Sequence, residues 1–407
     1  MHDLKTTDNG EVAVVHSGQH NLNSGPDFFN AQVKIDDQLW AGNVEIHIKS
    51  SDWFLHNHEQ DPTYDNVILH VVWEHDTDVF RSNNTTIPTV VLKDYIDESL
   101  FQNYLKLFSK KDKWINCEND FNTIDDFTLN HWLERLYFER LERKANAISE
   151  LLKASKNNWE TVLFKMLTKN FGLKVNGEAF LSLAESVDFS VIRKTQNDRI
   201  SLEALFMGQA GLLERDIDIG YHQELDKAYG FLKQKFQLDN SYVVPLQFFR
   251  LRPSNFPTIR LSQLASLYHE HQNLFSKIIA INSVEDFYKL FHVSTAPFWK
   301  THYTFEKESK ATEKIITKAF VDLLIMNTIL PIKFCYAHQK GARVHDELLN
   351  MAHAIASEKN TIVDAFNRLQ KISNSALISQ ALIQLKSEYC DKNKCLQCAV
   401  GNALIHK

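Results

Sequence analysis

The residues best able to do chemistry are concentrated in residues 25–76, where His, Asp and Glu recur every few positions. Imidazole nitrogens and carboxylate oxygens bind divalent metals, and the same groups act as general bases near neutral pH. Eight of the eighteen His in the chain precede residue 76, namely His2, His16, His20, His47, His56, His58, His70 and His75. This concentration predicts a metal site or an acid–base site.

Asp27 and the strand-like run at residues 44–49 form the first candidate site. Side chains alternate along a strand, so Glu45, His47 and Lys49 project from one face. Asp27 precedes the hairpin strand that leads to Glu45. We expect Asp27, Glu45 and His47 to converge in a cleft, because Glu45 and His47 leave the same strand face and Asp27 opens the neighbouring hairpin strand.

This pattern resembles that of the PD-(D/E)xK phosphodiesterase superfamily. There, an Asp at the start of one strand and a Glu on the next hold Mg²⁺, and a Lys two residues past the Glu stabilises the attacking water and the developing charge. The resemblance implies that Asp27 and Glu45 are metal ligands. His47 occupies the Lys position, and Lys49 follows on the same face, so both stay candidates for that role.

A second ligand set would bind Zn²⁺ or Mn²⁺ through imidazoles and one carboxylate. It consists of His47, His56, His58 and His70, with Asp52, Asp61 or Asp65. His56 and His58 precede the Asp61-Pro62 pair and are expected in a loop. The alternative is that His47 and His70 are core groups bonded to Asp side chains, while His56 and His58 lie on the surface.

The C-terminal tail carries three thiols at the spacing of metal ligands, Cys390-x4-Cys395-x2-Cys398. Structural zinc and iron–sulfur sites take four ligands, and the fourth could come from Cys335, His338 or His406. The alternative is three ordinary reduced cysteines. With five Cys in 407 residues, a disulfide framework is not expected, and reduced thiols in a cytoplasm fit better.

A segment in the second half of the chain interleaves Arg with aromatic residues. It contains Arg250, Arg252 and Arg260 among Phe248, Phe249 and Phe256. Guanidinium groups bind phosphate and aromatic rings stack on bases, so the segment is a candidate nucleic-acid contact. The same composition suits an irregular connector whose Arg side chains cap helices and pair with Glu.

Two kinds of periodicity position these residues. Five strand-like runs lie before residue 93: EVAVV, AQVKI, NVEIHIK, NVILHVVW and PTVVL. A helix and a connector follow, and from Asp125 or Asp126, either of which can cap a helix, the period becomes helical. We predict an α+β protein. It has a mixed β-sheet domain with a flanking helix at residues 1–115, and a large all-α region with the Cys-containing tail at residues 125–407.

Composition narrows the class of protein. The apolar fraction of 44% supports sizeable cores, and the net charge of -6 argues against nucleic-acid binding by overall basicity. The polar N-terminus lacks a secretory signal, and no uninterrupted apolar run reaches the roughly 20 residues of a membrane span. We therefore expect a cytoplasmic protein that does not act at a membrane.

Several long motifs resemble an uncharacterised Bacteroidota family, domain of unknown function 2851: GQHNLNSGPDFFNA, GNVEIHIKSSDW, YDNVILHVVWEHD, LFMGQAGLL, RLRPSNFPTIRL and CLQCAVGNALI. The resemblance implies a bacterial cytoplasmic protein without an established activity. Two functions are compatible with the residues. One is a metal-dependent, nuclease-like phosphodiesterase acting on nucleic acid. The other is a non-catalytic nucleic-acid-binding or scaffold protein whose polar cluster is structural.

Overall fold

The structure is a computed structural model that describes residues 3–109, 112–342 and 345–407. His2, one of the eight His that precede residue 76, therefore lies outside the described residues. The chain divides into two compact units, one formed by Met1–Asp112 with Asn402–Lys407 and the other by Lys113–Gly401. Among the described residues, all strands lie in the first unit and helices dominate the second, which confirms the predicted α+β class.

The first unit contains a seven-stranded sheet in which the five predicted runs are all strands. Two further strands of two residues each extend it. The strands are β1 (Leu4–Lys5), β2 (Glu11–His16), β3 (Gln19–His20), β4 (Phe28–Ile35), β5 (Gln38–Lys49), β6 (Val67–Glu74) and β7 (Thr89–Val91).

The sheet is mixed, as predicted. Its order is β1-β2-β4-β5-β6-β7, with β3 paired to β4; β2, β4 and β5 are antiparallel, whereas β5, β6 and β7 run parallel. A parallel pair needs a crossover connection, and residues 50–66 with the short helix α1 (Asp52–Leu55) supply it. The crossover places Glu45 directly beside His70 in the register of β5 and β6.

Gly42 allows β5 to approach the start of β6 closely. A Cβ at this position would lie 2.5 Å from Cγ2 of Ile68 and 2.6 Å from the backbone oxygen of Asn66. The backbone N–H of Asn43 donates to that same oxygen at 2.8 Å. Any larger residue at position 42 would push apart the strands that carry Glu45 and His70.

Two apolar clusters stabilise the first unit. One fills a face of the sheet and consists of Val12, Ala31, Val33, Val44, Ile68, Leu69 and Val90. The other lies beneath the crossover and consists of Trp53, Tyr64, Val67, Val79 and Ile87. The helix α2 (Glu98–Phe108) follows the sheet, as predicted, and the Asp97 side chain accepts from the Ser99 N–H at its start.

The second unit is helical. Its helices are α3 (Asp126–Ala154), α4 (Trp159–Phe171), α5 (Leu173–Glu185), α6 (Phe189–Thr195), α7 (Arg199–Gln209), α8 (Gly220–Phe236), α9 (Pro257–Glu270), α10 (Leu274–Ala280), α11 (Val284–Leu290), α12 (Lys318–Leu324), α13 (Leu330–Gln339), α14 (His345–Ala354), α15 (Thr361–Leu369) and α16 (Ala376–Gln384). The last helix, α17 (Ala399–Ile405), begins in this unit, and its residues from Asn402 onward belong to the first unit. Beyond residue 150, the only β-structure among the described residues consists of isolated β-bridges. Asp125 caps α3 by accepting from the Thr128 N–H.

The stretch Lys318–Gln339 is long and apolar enough to cross a membrane by length and composition alone. It comprises α12, a π-helical turn (Ile325–Ile329) and α13, and 72% of its most apolar window is buried within the protein. α13 packs against α3, the longest helix of the unit. Burial in the helical core accounts for its apolar character.

Candidate metal site

Two hydrogen bonds hold Asp27 against β5, one to Glu45 and one to its neighbour Ile46. The Asp27 N–H donates to Oε2 of Glu45 at 3.1 Å, and the Ile46 N–H donates to Oδ2 of Asp27 at 2.9 Å. Register brings them together, because Phe28 pairs with Val44 just beyond a bulge in β4. Burial, and next the negative charge of Asp27, raise the pKa of the Glu45 carboxyl to about 7.

His47 lies at the centre of the cluster. Its Nε2 is 3.5 Å from Oε1 of Glu45 and 3.1 Å from Nδ1 of His56, and its Nδ1 is 2.8 Å from Nε2 of His70. Burial, reinforced by the imidazoles of His58 and His56, lowers the pKa of His47 to about 4. The ring is therefore neutral at pH 7, and one of its nitrogens offers a lone pair.

The crossover after β5 brings His58 to the same place. Nε2 of His58 lies 3.4 Å from Oε1 of Glu45. Its ring stacks on Tyr64, with centroids 3.7 Å apart, and meets the edge of the fully buried Trp53. Asn57 lies between His56 and His58 in the left-handed region, with φ of 58°. Two buried aromatic rings thus anchor a loop that sequence alone left unrestrained.

Three imidazoles form a group of metal-binding size, and the Glu45 carboxylate lies beside two of them. The ligand atoms of His47, His56 and His58 all lie within 4.8 Å of one another. A tetrahedral ion with bonds of about 2.0–2.1 Å places neighbouring ligand atoms roughly 3.3–3.4 Å apart. The separations of 3.4 Å and 3.5 Å from Glu45 to His58 and His47 match that edge. The exposed side chain of His56 leaves one side open to solvent.

His70 was predicted as a metal ligand, but it lies behind His47. Its ring is fully buried, its Nε2 faces Nδ1 of His47, and its Nδ1 has no hydrogen-bond partner among the described residues. Burial also lowers the pKa of His70 to about 3, so this ring stays neutral. It is placed to accept the Nδ1–H of His47 and to fix that ring's tautomer and orientation.

The three Asp proposed as alternative ligands have other partners. Oδ2 of Asp52 accepts the N–H of Lys49, Asp61 accepts the N–H and hydroxyl of Thr63, and Asp65 accepts the N–H and hydroxyl of Ser82. Glu45 is therefore the carboxylate at the His cluster. Lys49, proposed near the attacking water, is exposed at the end of β5, opposite Glu74 of β6.

The Arg-rich segment is divided between surface and core. Arg250 and Arg252 are exposed, as is Phe249. Arg260, by contrast, is buried in α9, where its guanidinium donates to Gln263 and Asn255 and lies 3.7 Å from the centroid of the Phe320 ring. The prediction of a nucleic-acid contact therefore depends on Arg250 and Arg252, because Arg260 bonds within the helical unit.

The three tail cysteines lie around one small cavity of the helical unit. Cys335, considered as a fourth ligand, lies elsewhere, because its thiol contacts the Ser149 hydroxyl and the backbone oxygen of Ala145. Sequence reasoning missed the cysteine that does join them, Cys117. It lies far from the tail in the sequence, so no spacing rule could connect it to the other three.

Fold and site together define an α+β protein with a His- and carboxylate-lined candidate metal centre on its sheet. Residues 1–361 match the model of a family described as protein of unknown function (DUF2851). The chain belongs to this family. No curated protein and no solved structure matches the chain.

Proposed function

We propose that the first unit binds a divalent metal ion through Glu45, His47, His56 and His58 and hydrolyses phosphodiester bonds in nucleic acid. The observation that carries the proposal is the position of Oε1 of Glu45, which lies 3.4 Å from Nε2 of His58 and 3.5 Å from Nε2 of His47. The ionised form of a buried carboxylate among neutral imidazoles is stabilised by a positive charge, which a bound cation would supply in place of a proton.

The donor set distinguishes between metals. Mg²⁺ prefers six oxygen ligands and keeps several waters, whereas imidazole nitrogens suit Mn²⁺ and Zn²⁺. Three of the four nearest donors are imidazoles, so Mn²⁺ and Zn²⁺ fit these residues better than Mg²⁺. When bound, such an ion would act as a Lewis acid on a phosphoryl oxygen and lower the pKa of a water molecule.

The side chains of the cluster divide the remaining work. Glu45 and His47 are held on the strand β5 and His58 is held by the packing of its ring on Tyr64, which keeps the geometry of these three donors fixed. Asp27, half-buried and next to Glu45, is placed to orient the attacking water and accept its proton. His70 positions His47. The open side at His56 is where substrate would enter.

The choice of phosphodiesters rests on the order of the carboxylates along the sheet. Asp27 immediately precedes β4 and Glu45 lies on the next strand, β5, as in the PD-(D/E)xK pattern. The chain departs from that pattern at His47, which occupies the position of the Lys. A neutral imidazole there cannot supply the positive charge of a Lys, so we assign charge stabilisation to the ion.

The full-length protein tests this proposal directly. Purified protein is titrated with Mn²⁺ and Zn²⁺ by calorimetry and assayed on single- and double-stranded DNA and RNA, with and without a chelator. We expect about one ion per chain at the His cluster and cleavage that the chelator abolishes. Protein that binds neither ion and leaves every substrate intact would overturn the proposal.

One observation favours the second candidate, a non-catalytic nucleic-acid-binding protein. Arg250 and Arg252 are exposed beside Phe249, whose side chain is 76% exposed, and such a surface can contact phosphates and stack on a base. Nucleic-acid binding that Arg250→Ala with Arg252→Ala weakens, in protein that never cleaves, would support this function instead.

A further inference from the structure

Four cysteines from two distant parts of the sequence line one cavity in the helical unit. Cys117 comes from the beginning of that unit, and Cys390, Cys395 and Cys398 come from its end. The cavity has a volume of about 20 Å³, enough for one water-sized sphere. Its remaining lining includes the apolar side chains of Phe121, Leu385 and Val400.

Short irregular segments present these thiols. Cys117 lies in a turn that is closed by a hydrogen bond from the Asp120 N–H to the backbone oxygen of Cys117. Cys390 ends a π-helical turn, Cys395 begins a 3-10 turn, and Cys398 precedes α17. Gly401 makes this packing feasible, since a Cβ there would lie 2.2 Å from the backbone oxygen of Cys395.

Nitrogen donors surround the sulfurs. The side-chain amide of Asn116 donates to Sγ of Cys395 at 3.3 Å, and the backbone N–H groups of Val400 and Gly401 face the thiol of Cys398. The indole N–H of the buried Trp132 lies beside Cys398 and has no conventional hydrogen-bond partner among the described residues. N–H donors directed at sulfur stabilise negative charge. Several such donors therefore favour thiolates over neutral thiols at this place.

The spacing of the sulfurs distinguishes a cluster from a single ion. All five cysteines are free, so no disulfide explains the grouping. A zinc ion with Zn–S bonds of about 2.3 Å would hold sulfurs roughly 3.8 Å apart and leave no space for a water-sized sphere between them. Among the described residues, three ligand atoms within 4.8 Å of one another occur in the His cluster and not in this group. An iron–sulfur cluster places iron and sulfide between the thiolates and needs the wider arrangement.

We propose that Cys117, Cys390, Cys395 and Cys398 hold an iron–sulfur cluster. The Cys-x4-Cys-x2-Cys spacing of the tail, completed by one remote cysteine, occurs among iron–sulfur ligand sets. Four thiolates complete the ligand set of either a [2Fe–2S] or a [4Fe–4S] cluster. The cluster fastens the first residues of the helical unit to its last ones.

Metal analysis of the full-length chain tests the assignment. Protein purified without oxygen, and also reconstituted with iron and sulfide, is analysed for iron, sulfide and zinc and by visible absorption and electron paramagnetic resonance. We expect a brown protein with iron and sulfide in equal amounts, about two of each per chain for a [2Fe–2S] cluster or about four for a [4Fe–4S] cluster.

Cys117→Ser is the decisive variant, because no sequence pattern points to this residue. It should lose the visible absorption and the iron to the same extent as Cys398→Ser. Cys335→Ser, at a buried cysteine that contacts Ser149 instead, is the matched control and should retain both. Circular dichroism of the helical signal shows whether each variant folds.

The assignment is overturned by stoichiometric zinc without iron, by protein that takes up no cluster on reconstitution, or by folded Cys117→Ser with wild-type iron content. If Cys117→Ser does not fold, iron K-edge absorption of the wild type decides. Four-sulfur coordination with a second iron atom close by supports the cluster, whereas nitrogen or oxygen ligation, or iron with no neighbouring iron, contradicts it. None of these outcomes depends on the metal site of the first unit.

Discussion

Nδ1 of His47 lies 2.8 Å from Nε2 of His70, so one proton is shared between two neutral rings. If Nε2 of His47 binds a metal ion, its Nδ1 must carry the hydrogen and donate it to His70. His70 therefore sets the direction of the lone pair that faces Glu45.

Replacing His70 by Phe should weaken metal binding without removing a ligand. The ring volume stays, but His47 loses its hydrogen-bond acceptor, and losses of such partners cost about 10–100-fold in metal affinity. Calorimetric titration with Mn²⁺ or Zn²⁺ measures the effect. His131→Ala, at an exposed His on α3, is the control. Wild-type affinity in folded His70→Phe would remove His70 from the site.

Metal affinity should rise with pH up to about 7 and then level off. Glu45 has a pKa near 7 in the folded metal-free protein, so an ion must displace its proton below that pH. His47, with its pKa near 4, does not compete in this range. Metal titrations between pH 6 and 8 would show this rise in affinity. In Glu45→Gln the affinity should no longer rise through deprotonation at position 45.

The pKa shifts of Glu45 and His47 make the stability of the metal-free protein depend on pH in opposite directions. The pKa of Glu45 is raised from 4.5 to about 7, so the folded state holds an extra proton and its contribution to stability falls as pH rises through that interval. The pKa of His47 is lowered from 6.5 to about 4, so its contribution is lost as pH falls from 6.5 to 4. Urea unfolding of wild type and Glu45→Gln between pH 4 and 8 should separate the two effects, since the variant keeps only the trend of the buried imidazoles, whose pKa values are lowered in the same direction.

Trp53→Ala should destabilise the first unit by about 3–5 kcal/mol, because it removes a fully buried aromatic side chain. It should also weaken metal binding, since Trp53 supports His58. The neighbouring Phe54, which is 37% exposed, gives a control, and Phe54→Ala should have a smaller effect. Thermal unfolding measures the destabilisation caused by each of the two substitutions. Equal destabilisation by the two substitutions would contradict the proposed support.

Arg260→Ala should lower stability without directly changing nucleic-acid binding. The substitution leaves the side-chain oxygens of Asn255 and Gln263 without a donor, at a cost of about 1–3 kcal/mol, and removes the cation from the Phe320 ring. Urea unfolding and filter binding separate the two effects. A loss of nucleic-acid affinity with unchanged stability would place Arg260 at the interface after all.

Strand periodicity was sufficient to predict the sheet and part of the site. Alternation along β5 placed Glu45 and His47 on one face, and the hairpin placed Asp27 beside them. The position of His58 could not be predicted, because it depends on Trp53 and Tyr64 packing beneath the crossover. These contacts are tertiary, and a single sequence carries no local signal for them.

Burial explains why His70 and Arg260 lie in other surroundings than the sequence predicted. His70 has the composition of a ligand, but the register of β5 and β6 buries it behind His47. Arg260 has the composition of a phosphate contact, but it lies on the buried face of α9. In both cases the residue type indicated polar chemistry correctly, whereas its partner depended on packing between elements far apart in the chain.

The central claim is that Glu45 joins three imidazoles around a catalytic divalent ion. The most direct measurement compares bound metal and metal-dependent cleavage in wild type, Glu45→Gln and Glu74→Gln, the last at an exposed Glu of the adjacent strand β6. We predict that Glu45→Gln folds but loses both bound metal and cleavage, while Glu74→Gln keeps both. Glu45→Gln that binds metal and cleaves as well as wild type would contradict the claim.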